Sequence, residues 1–291
     1  MNESTNNKFN SRILWALAII AAVVTFLIYL PVLDNGFVNW DDPYYVYRNP
    51  NIRSLDIIWA FTAEVSSNWH PLTLLSHSLD YALFGLNPKG HHLTNILLHS
   101  INTFLVAILF FRLTMLGLKD EKSSKTLFAL TASLITALFF GIHPLRVESV
   151  AWISERKDLL YALFYILSLI TYITYAIRVK NNEAGAKGFY AAALILFALS
   201  LMSKPMALSL PIVLVIIDIF PLERTNIREL FGKKKMVLIE KIPFVLCSIF
   251  SAIVTLWAQA GSGAMSTLEG APLASRLLIS LRAYSFYIYK T

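Results

Sequence analysis

Ile13-Leu-Trp-Ala-Leu-Ala-Ile-Ile-Ala-Ala-Val-Val-Thr-Phe-Leu-Ile-Tyr-Leu-Pro-Val-Leu33 carries no charged residue. At about 1.5 Å per residue a helix of that length crosses the roughly 30 Å apolar layer of a bilayer. The run follows Lys8 and Arg12, as a secretory signal would. It is longer than a signal's apolar region, and no small-x-small cleavage site follows it, so it reads as an uncleaved span. Similar runs recur at 93–111, 126–142, 159–177, 188–222 and 242–260, with an incomplete one over 277–291. The 188–222 stretch is too long for one crossing. Ser203-Lys204-Pro205 predicts a turn that divides it into 188–203 and 205–222. The expectation is an all-α, polytopic membrane protein, one membrane domain over 1–291, with seven complete spans and part of an eighth. Composition agrees, because only 15% of the 291 residues are charged, against about 25% in soluble domains. The single Cys247 excludes a disulfide within the chain.

Lysine and arginine set the orientation. With the N-terminus in the cytoplasm, segments 1–12, 112–125, 178–187 and 221–241 hold fifteen of the twenty-five basic residues, Lys233, Lys234 and Lys235 among them. The opposite segments carry eight basic and ten acidic residues. The net charge of +7 therefore sits where a positive-inside anchor places it, and the expected partner is a bilayer, not nucleic acid. Asp218, near the inner end of its span, is expected towards the cytosolic surface. The Gly- and Ser-rich loop 259–274 says little.

Directly after the first span stands Gly36-Phe-Val-Asn-Trp-Asp-Asp-Pro-Tyr-Tyr45. Pro43 biases Asp42 towards an extended backbone. Adjacent carboxylates repel, which suits one of Asp41 and Asp42 to take a proton from a hydroxyl. The bland alternative is that they cap a following short helix. The loop they open, 34–92, is too long and too aromatic for a mere connector. Ile57-Ile-Trp-Ala-Phe61 and the 72–84 stretch predict short amphipathic helices lying along the membrane surface.

Five of the six histidines, His70, His77, His91, His92 and His99, gather here. There is no His-Glu-x-x-His and no i,i+4 histidine pair, so a divalent metal is possible but not favoured. His92, Asn95, His99 and Asn102 share one helical face, a polar stripe suited to helix packing or to a cavity wall. In 143–158, a continuous helix would put Glu148, Trp152, Glu155 and Asp158 on one face with Arg156 beside them. Those charges could satisfy one another, or Arg156 and Lys157 could meet a lipid phosphate at the outer boundary. Lys204, the only basic residue between Gly188 and Leu222, either snorkels or serves a buried function.

The wording of Phe37-Val-Asn-Trp-Asp-Asp-Pro43, His70-Pro-Leu-Thr-Leu-Leu-Ser-His-Ser-Leu-Asp-Tyr81, Gly85-Leu-Asn-Pro-Lys-Gly-His-His-Leu-Thr-Asn-Ile-Leu-Leu-His99, His143-Pro-Leu-Arg-Val-Glu-Ser-Val-Ala-Trp-Ile-Ser-Glu-Arg-Lys-Asp158 and Met202-Ser-Lys-Pro-Met206 goes further. Together these stretches resemble bacterial membrane proteins with C-terminal tetratricopeptide (TPR) repeats. Those are related to the transmembrane and tetratricopeptide-repeat O-mannosyltransferases, of the GT-C glycosyltransferase fold. The resemblance implies a GT-C-like helix bundle in a bacterial inner membrane. It implies a transferase moving a sugar from a polyprenyl-phosphate donor to a protein or glycan hydroxyl at the periplasmic face, with no cofactor. Asp41 and Asp42 fall on the family's catalytic acidic pair. Arg156 and Lys204 fall on its basic positions and are assigned to the donor phosphate, with Lys157 ranked behind them. His143, Glu148, Asp158 and His92 are expected to shape the site. The family's later spans and its repeat domain are missing, which suggests a truncated chain. A solute transporter, with Asp218, Lys204 and the His92–Asn102 stripe lining a pathway, and a non-catalytic membrane scaffold are the rival readings.

Overall fold

The computed structural model describes residues 3–118, 122–230, 232, 234–261 and 272–290; Lys233, most of the 259–274 loop and Thr291 lie outside them. The helices in chain order are α1 (Glu3–Tyr29), α2 (Ile57–Thr62), α3 (Pro71–Phe84), α4 (Pro88–Gly117), α5 (Lys122–Ile142), α6 (Val147–Ala151), α7 (Arg156–Lys180), α8 (Ala186–Ser203), α9 (Leu210–Ile219), α10 (Met236–Ile239), α11 (Ile242–Gly261) and α12 (Leu273–Lys290). Among the described residues there is no strand. Six helical segments, on α1, α4, α5, α7, α8 and α10–α11, are long and apolar enough to cross a membrane. The chain is an all-α polytopic membrane protein.

The apolar 188–222 stretch divides at Lys204, whose backbone is extended (φ −158°, ψ 133°). A 3-10 turn, Pro205–Ser209, then leads into α9. Pro205 has no N–H to continue the ladder of α8.

Two bundles meet along α4 and α7. In the first, α1, α4 and α5 approach through small residues: Ala18, Ala21, Ala107 and Ala137 form its buried centre. With no hydrophobic drive between helices in lipid, such close backbone packing is what holds spans together. Gly141 marks the tightest point. A Cβ there would come 2.2 Å from Thr25 Oγ1 and 2.9 Å from Thr103 Oγ1. In the second, α7, α8, α9 and α11 pack around Tyr172, Phe197, Leu210, Leu214 and Phe244.

The 34–92 segment is folded around its own core of Tyr45, Val46, Ile52, Ala60 and Leu74, which Ile153 completes. Here the structure departs from the expectation of helices lying on the membrane surface. Short α2 does expose Ile57 and Ile58, but α3 is drawn in against α4, α7 and α8. The reason is its polar face: Asp80 pairs with Arg156 and Thr73 donates to the Ser203 carbonyl at 3.1 Å, partners for buried polar groups that only the protein supplies.

Gly141→Val is expected to lower the unfolding midpoint of the detergent-solubilised protein, at a cost of about 1–3 kcal/mol for overpacking. Gly188→Val, at a glycine with open space around it, is the control and should cost far less.

Candidate active site

The adjacent carboxylates part company. Asp42 is fully buried and turns inward. It accepts from Val38 N at 2.7 Å, from Ser154 N at 2.9 Å and from Ser154 Oγ. It makes no side-chain cap to the following π-helical turn, Pro43–Tyr47, so the capping alternative does not describe it. Asp41 keeps its side chain 23% exposed and lies 3.3 Å from Lys157 Nζ.

That lysine begins a chain of alternating charges. Lys157 Nζ is 2.8 Å from Glu155 Oε1, and Glu155 Oε2 is 3.2 Å from Lys204 Nζ. Lys204 also pairs with Asp158, whose other oxygen accepts from Ser149 Oγ at 3.0 Å. Three carboxylates thus share two ammonium groups, each side chain at most 23% exposed. Burial works against the charge on Lys204, but Asp158 and Glu155 more than offset it and hold its ammonium above the ordinary lysine range. Lys157 also lies 5.1 Å from the Tyr45 ring centroid and 5.7 Å from that of Trp152, in cation–π range.

The 143–158 segment reaches this geometry by breaking, not by running as the continuous helix the spacing suggests. Trp152 is extended (φ −95°, ψ 118°) between α6 and a 3-10 turn, Ile153–Glu155. Its carbonyl and that of Val150 accept from Asn95 Nδ2, each at 3.3 Å, and the Ser154 N–H goes to Asp42. Backbone groups engaged from outside are lost to the helix ladder.

Arg156 does not stand at an open boundary. It is completely buried, with Asp80 at 2.5 Å, Asn95 Oδ1 at 2.8 Å, the His91 carbonyl at 2.7 Å and Ser76 at 3.3 Å. Its donors bind the protein itself, joining α3 and α4 to the start of α7. His92 is buried beside the Asn35–Gly36 backbone, near Asp42. His143 caps the Pro144–Arg146 turn through its Nδ1, and Glu148 is exposed on α6. Among the described residues, neither is joined to the charge chain by a hydrogen bond or ion pair. The structure therefore brings together Asp41, Lys157, Lys204 and Asp158, sets Asp42, Arg156 and His92 behind them as support, and leaves His143 and Glu148 apart. Ser154 and Asp80 join the site without having been singled out, and Glu155, expected only as part of a charged helix face, bridges the two lysines. Their signal was weak, since an acid and a serine within a charged motif look like surface groups.

The polar stripe of α4 is helix packing. Asn95 donates to the α6 end, His99 to the Gly141 carbonyl at 2.8 Å and Asn102 to the Leu159 carbonyl at 2.9 Å. Asp218 is not at a surface either: it is fully buried against Tyr172, Arg224 and Lys241. Tyr172 is fourteen residues beyond Asp158 on α7, about 21 Å along the axis, so Asp218 and Lys204 belong to opposite ends of the bundle. An apolar cavity of about 280 Å³ opens between α8 and α11, lined by Trp69, Leu201, Met202, Leu246 and Phe250. Among the described residues no group of three His, Cys, Asp or Glu side chains is placed to hold a metal ion.

An all-α membrane bundle with a folded, charge-bearing loop at one end thus defines the class. Human protein O-mannosyl-transferase TMTC4 is 30% identical over 235 residues, 75% of this chain and 31% of its own length. Mouse protein O-mannosyl-transferase TMTC4 is 33% identical over 187 residues, 59% and 24% of the two chains. Drosophila melanogaster protein O-mannosyl-transferase Tmtc1 is 29% identical over 178 residues, 57% and 18%. Over the matched residues the chain is related to these O-mannosyl-transferases, and it spans less than a third of the length of each. No protein-family model matches the chain, and no solved structure matches it significantly.

Asp42→Ala strands three donors and is expected to cost about 2–4 kcal/mol of stability, whereas Asp41→Asn should leave the unfolding midpoint nearly unchanged. The loop histidines make stability depend on pH. Burial, aided by Lys157 and Lys204, pushes His70 down to about 3, and burial likewise keeps His77 well below its usual value. Unfolded, each titrates near pH 6.5. The stability that the neutral folded forms contribute is complete above about pH 6.5 and is lost as pH falls, towards about 3 for His70. Between about pH 6.5 and pH 5 that amounts to roughly 2 kcal/mol for His70, and His70→Asn should flatten this part of the pH profile.

Proposed function

We propose that the chain is the membrane part of a GT-C-type glycosyltransferase. It takes a sugar from a polyprenyl-phosphate-linked donor and transfers it to a protein or glycan hydroxyl. The reaction runs at the periplasmic face of a bacterial inner membrane, with the N-terminus in the cytoplasm. The observation that carries the reading is the Asp41–Lys157–Glu155–Lys204–Asp158 chain, which sets the partly exposed Asp41 beside the Lys157 ammonium and links that, through Glu155, to Lys204. The printed names of the relatives, protein O-mannosyl-transferases, support sugar transfer to protein. The apolar cavity between α8 and α11, lined by Leu201 and Met202 near the end of α8, supports a donor with a hydrocarbon tail.

Asp41 takes the proton of the acceptor hydroxyl as general base. The hydroxyl oxygen forms its bond to the anomeric carbon from the face opposite the phosphate, inverting that centre. The bond from the anomeric carbon to the phosphate oxygen breaks, and its electron pair stays on the phosphate. Lys157 and Lys204 meet the charge that develops there, so this reading requires no metal. A phosphate arriving at Lys157 competes with Asp41 for its ammonium and frees the carboxylate to act as base. Asp42 fixes the loop through Ser154, while Arg156 fixes the start of α7 so that Lys157 points into the site. Both are positioning residues.

In membranes carrying the protein, Asp41→Asn is expected to lower sugar transfer roughly a hundredfold, the usual range for a lost general base, and to leave photocrosslinking to a reactive polyprenyl phosphate intact. Lys204→Ala and Lys157→Ala should each weaken that labelling, and chelation of divalent metal should not. Transfer that survives Asp41→Asn, or labelling indifferent to both lysines, overturns the assignment.

A further inference from the structure

Beside Asp41 stands an aromatic side chain to which neither the fold nor the proton transfer gives a task. Trp40 is 72% exposed although it directly precedes the carboxylate. It is not loose: its ring meets the Trp152 ring edge-on, with centroids 6.4 Å apart and planes at 75°. Trp152 in turn lies 5.7 Å from Lys157 Nζ, and its indole nitrogen is out of water without a hydrogen-bond partner. One exposed indole and one partly exposed carboxylate therefore stand next to each other in the chain, at the Asp41 end of the charge chain.

We propose that Trp40 and Trp152 form a pyranose-binding subsite, with the ring of Trp40 as its platform. This deepens the glycosyltransferase reading and rests on it. A pyranose offers an apolar face of C–H groups, and its rim carries hydroxyls. The C–H face lies on the indole face of Trp40, a large rigid apolar surface that Trp152 meets edge-on. A rim hydroxyl donates to Asp41. Few placed polar groups beside an apolar wall are the usual composition of a small-ligand site. An exposed tryptophan at this level could also be an interfacial anchor of the kind that decorates spans. Tyr44, 64% exposed four residues later, provides the control, because an anchoring role would fall on both.

The test is saturation-transfer NMR on the detergent-solubilised chain, with methyl α-mannopyranoside and methyl β-glucopyranoside as probes. The ring C–H protons of at least one probe are expected to receive saturation from the wild type. Trp40→Ala should reduce that signal about fivefold, in line with a lost aromatic contact. Trp40→Phe should retain at least about half of it, and Tyr44→Ala should leave it unchanged. No transfer to either probe in the wild type, a change under about twofold in Trp40→Ala, or an equal loss in Tyr44→Ala overturns the subsite. Labelling by the reactive polyprenyl phosphate, measured on the same variants, separates the two proposals. If sugar contact depends on Trp40 while lipid labelling fails, the subsite stands and the lipid-linked donor falls. If labelling persists while sugar contact ignores Trp40, the reverse holds.

Discussion

A guanidinium that no water reaches must be surrounded by acceptors, and meeting that demand organises the loop end of this molecule. Arg156 is fully buried and is engaged by Asp80 and Ser76 from α3 and by Asn95 and the His91 carbonyl from α4. Removing one member of such a buried pair typically costs about 3–5 kcal/mol, because the other is left charged without a partner. The placement of α3 inside the bundle, the turn into α7 and the direction of Lys157 all follow from satisfying this one side chain.

A second buried ionic group lies at the other end of α7. Tyr172 donates to Asp218 at 2.7 Å, Arg224 bridges Asp218 and Glu240, and Lys241 closes on Asp218 at 2.6 Å. These contacts tie the 220–241 segment to the short helix α9. The two groups divide the labour differently. The group around Asp218 has Asp218 and Lys241 almost wholly shielded, with side chains 0% and 3% exposed, whereas the chain from Asp41 to Asp158 keeps both end carboxylates partly exposed.

Much of the architecture was legible because lipid imposes simple rules. Long uncharged runs became helices, and Lys204 with Pro205 marked where one run had to divide. The site was legible in its residue types and less so in its roles. Asp41 and Asp42 look equivalent in sequence, and their partners, Lys157 for the one and Val38 N with the distant Ser154 for the other, distinguish them. Arg156 and Lys157 are likewise neighbours, yet a helical step of about 100° turns one into the protein and the other towards Asp41. Nothing local announced that α3 would be drawn inward, since Asp80 reads as a surface acid until Arg156 is placed beside it. Helical periodicity failed at Trp152 for the same reason: the groups that interrupt the helix, Asn95 and Asp42, come from elsewhere in the chain.

The bonds that finish the loop join residues far apart in sequence: Asp42 to Ser154, Asp80 to Arg156, Asp41 to Lys157. As the chain emerges from the ribosome, the 34–92 segment is made before its partners exist. Asp42 and Asp80 remain solvated until the segment that starts α7 arrives, a hundred and twelve residues behind Asp42 in the case of Ser154. Assembly of the site is therefore a late event in biogenesis, and a nascent chain halted before α7 would hold the acids without the cations that set their geometry.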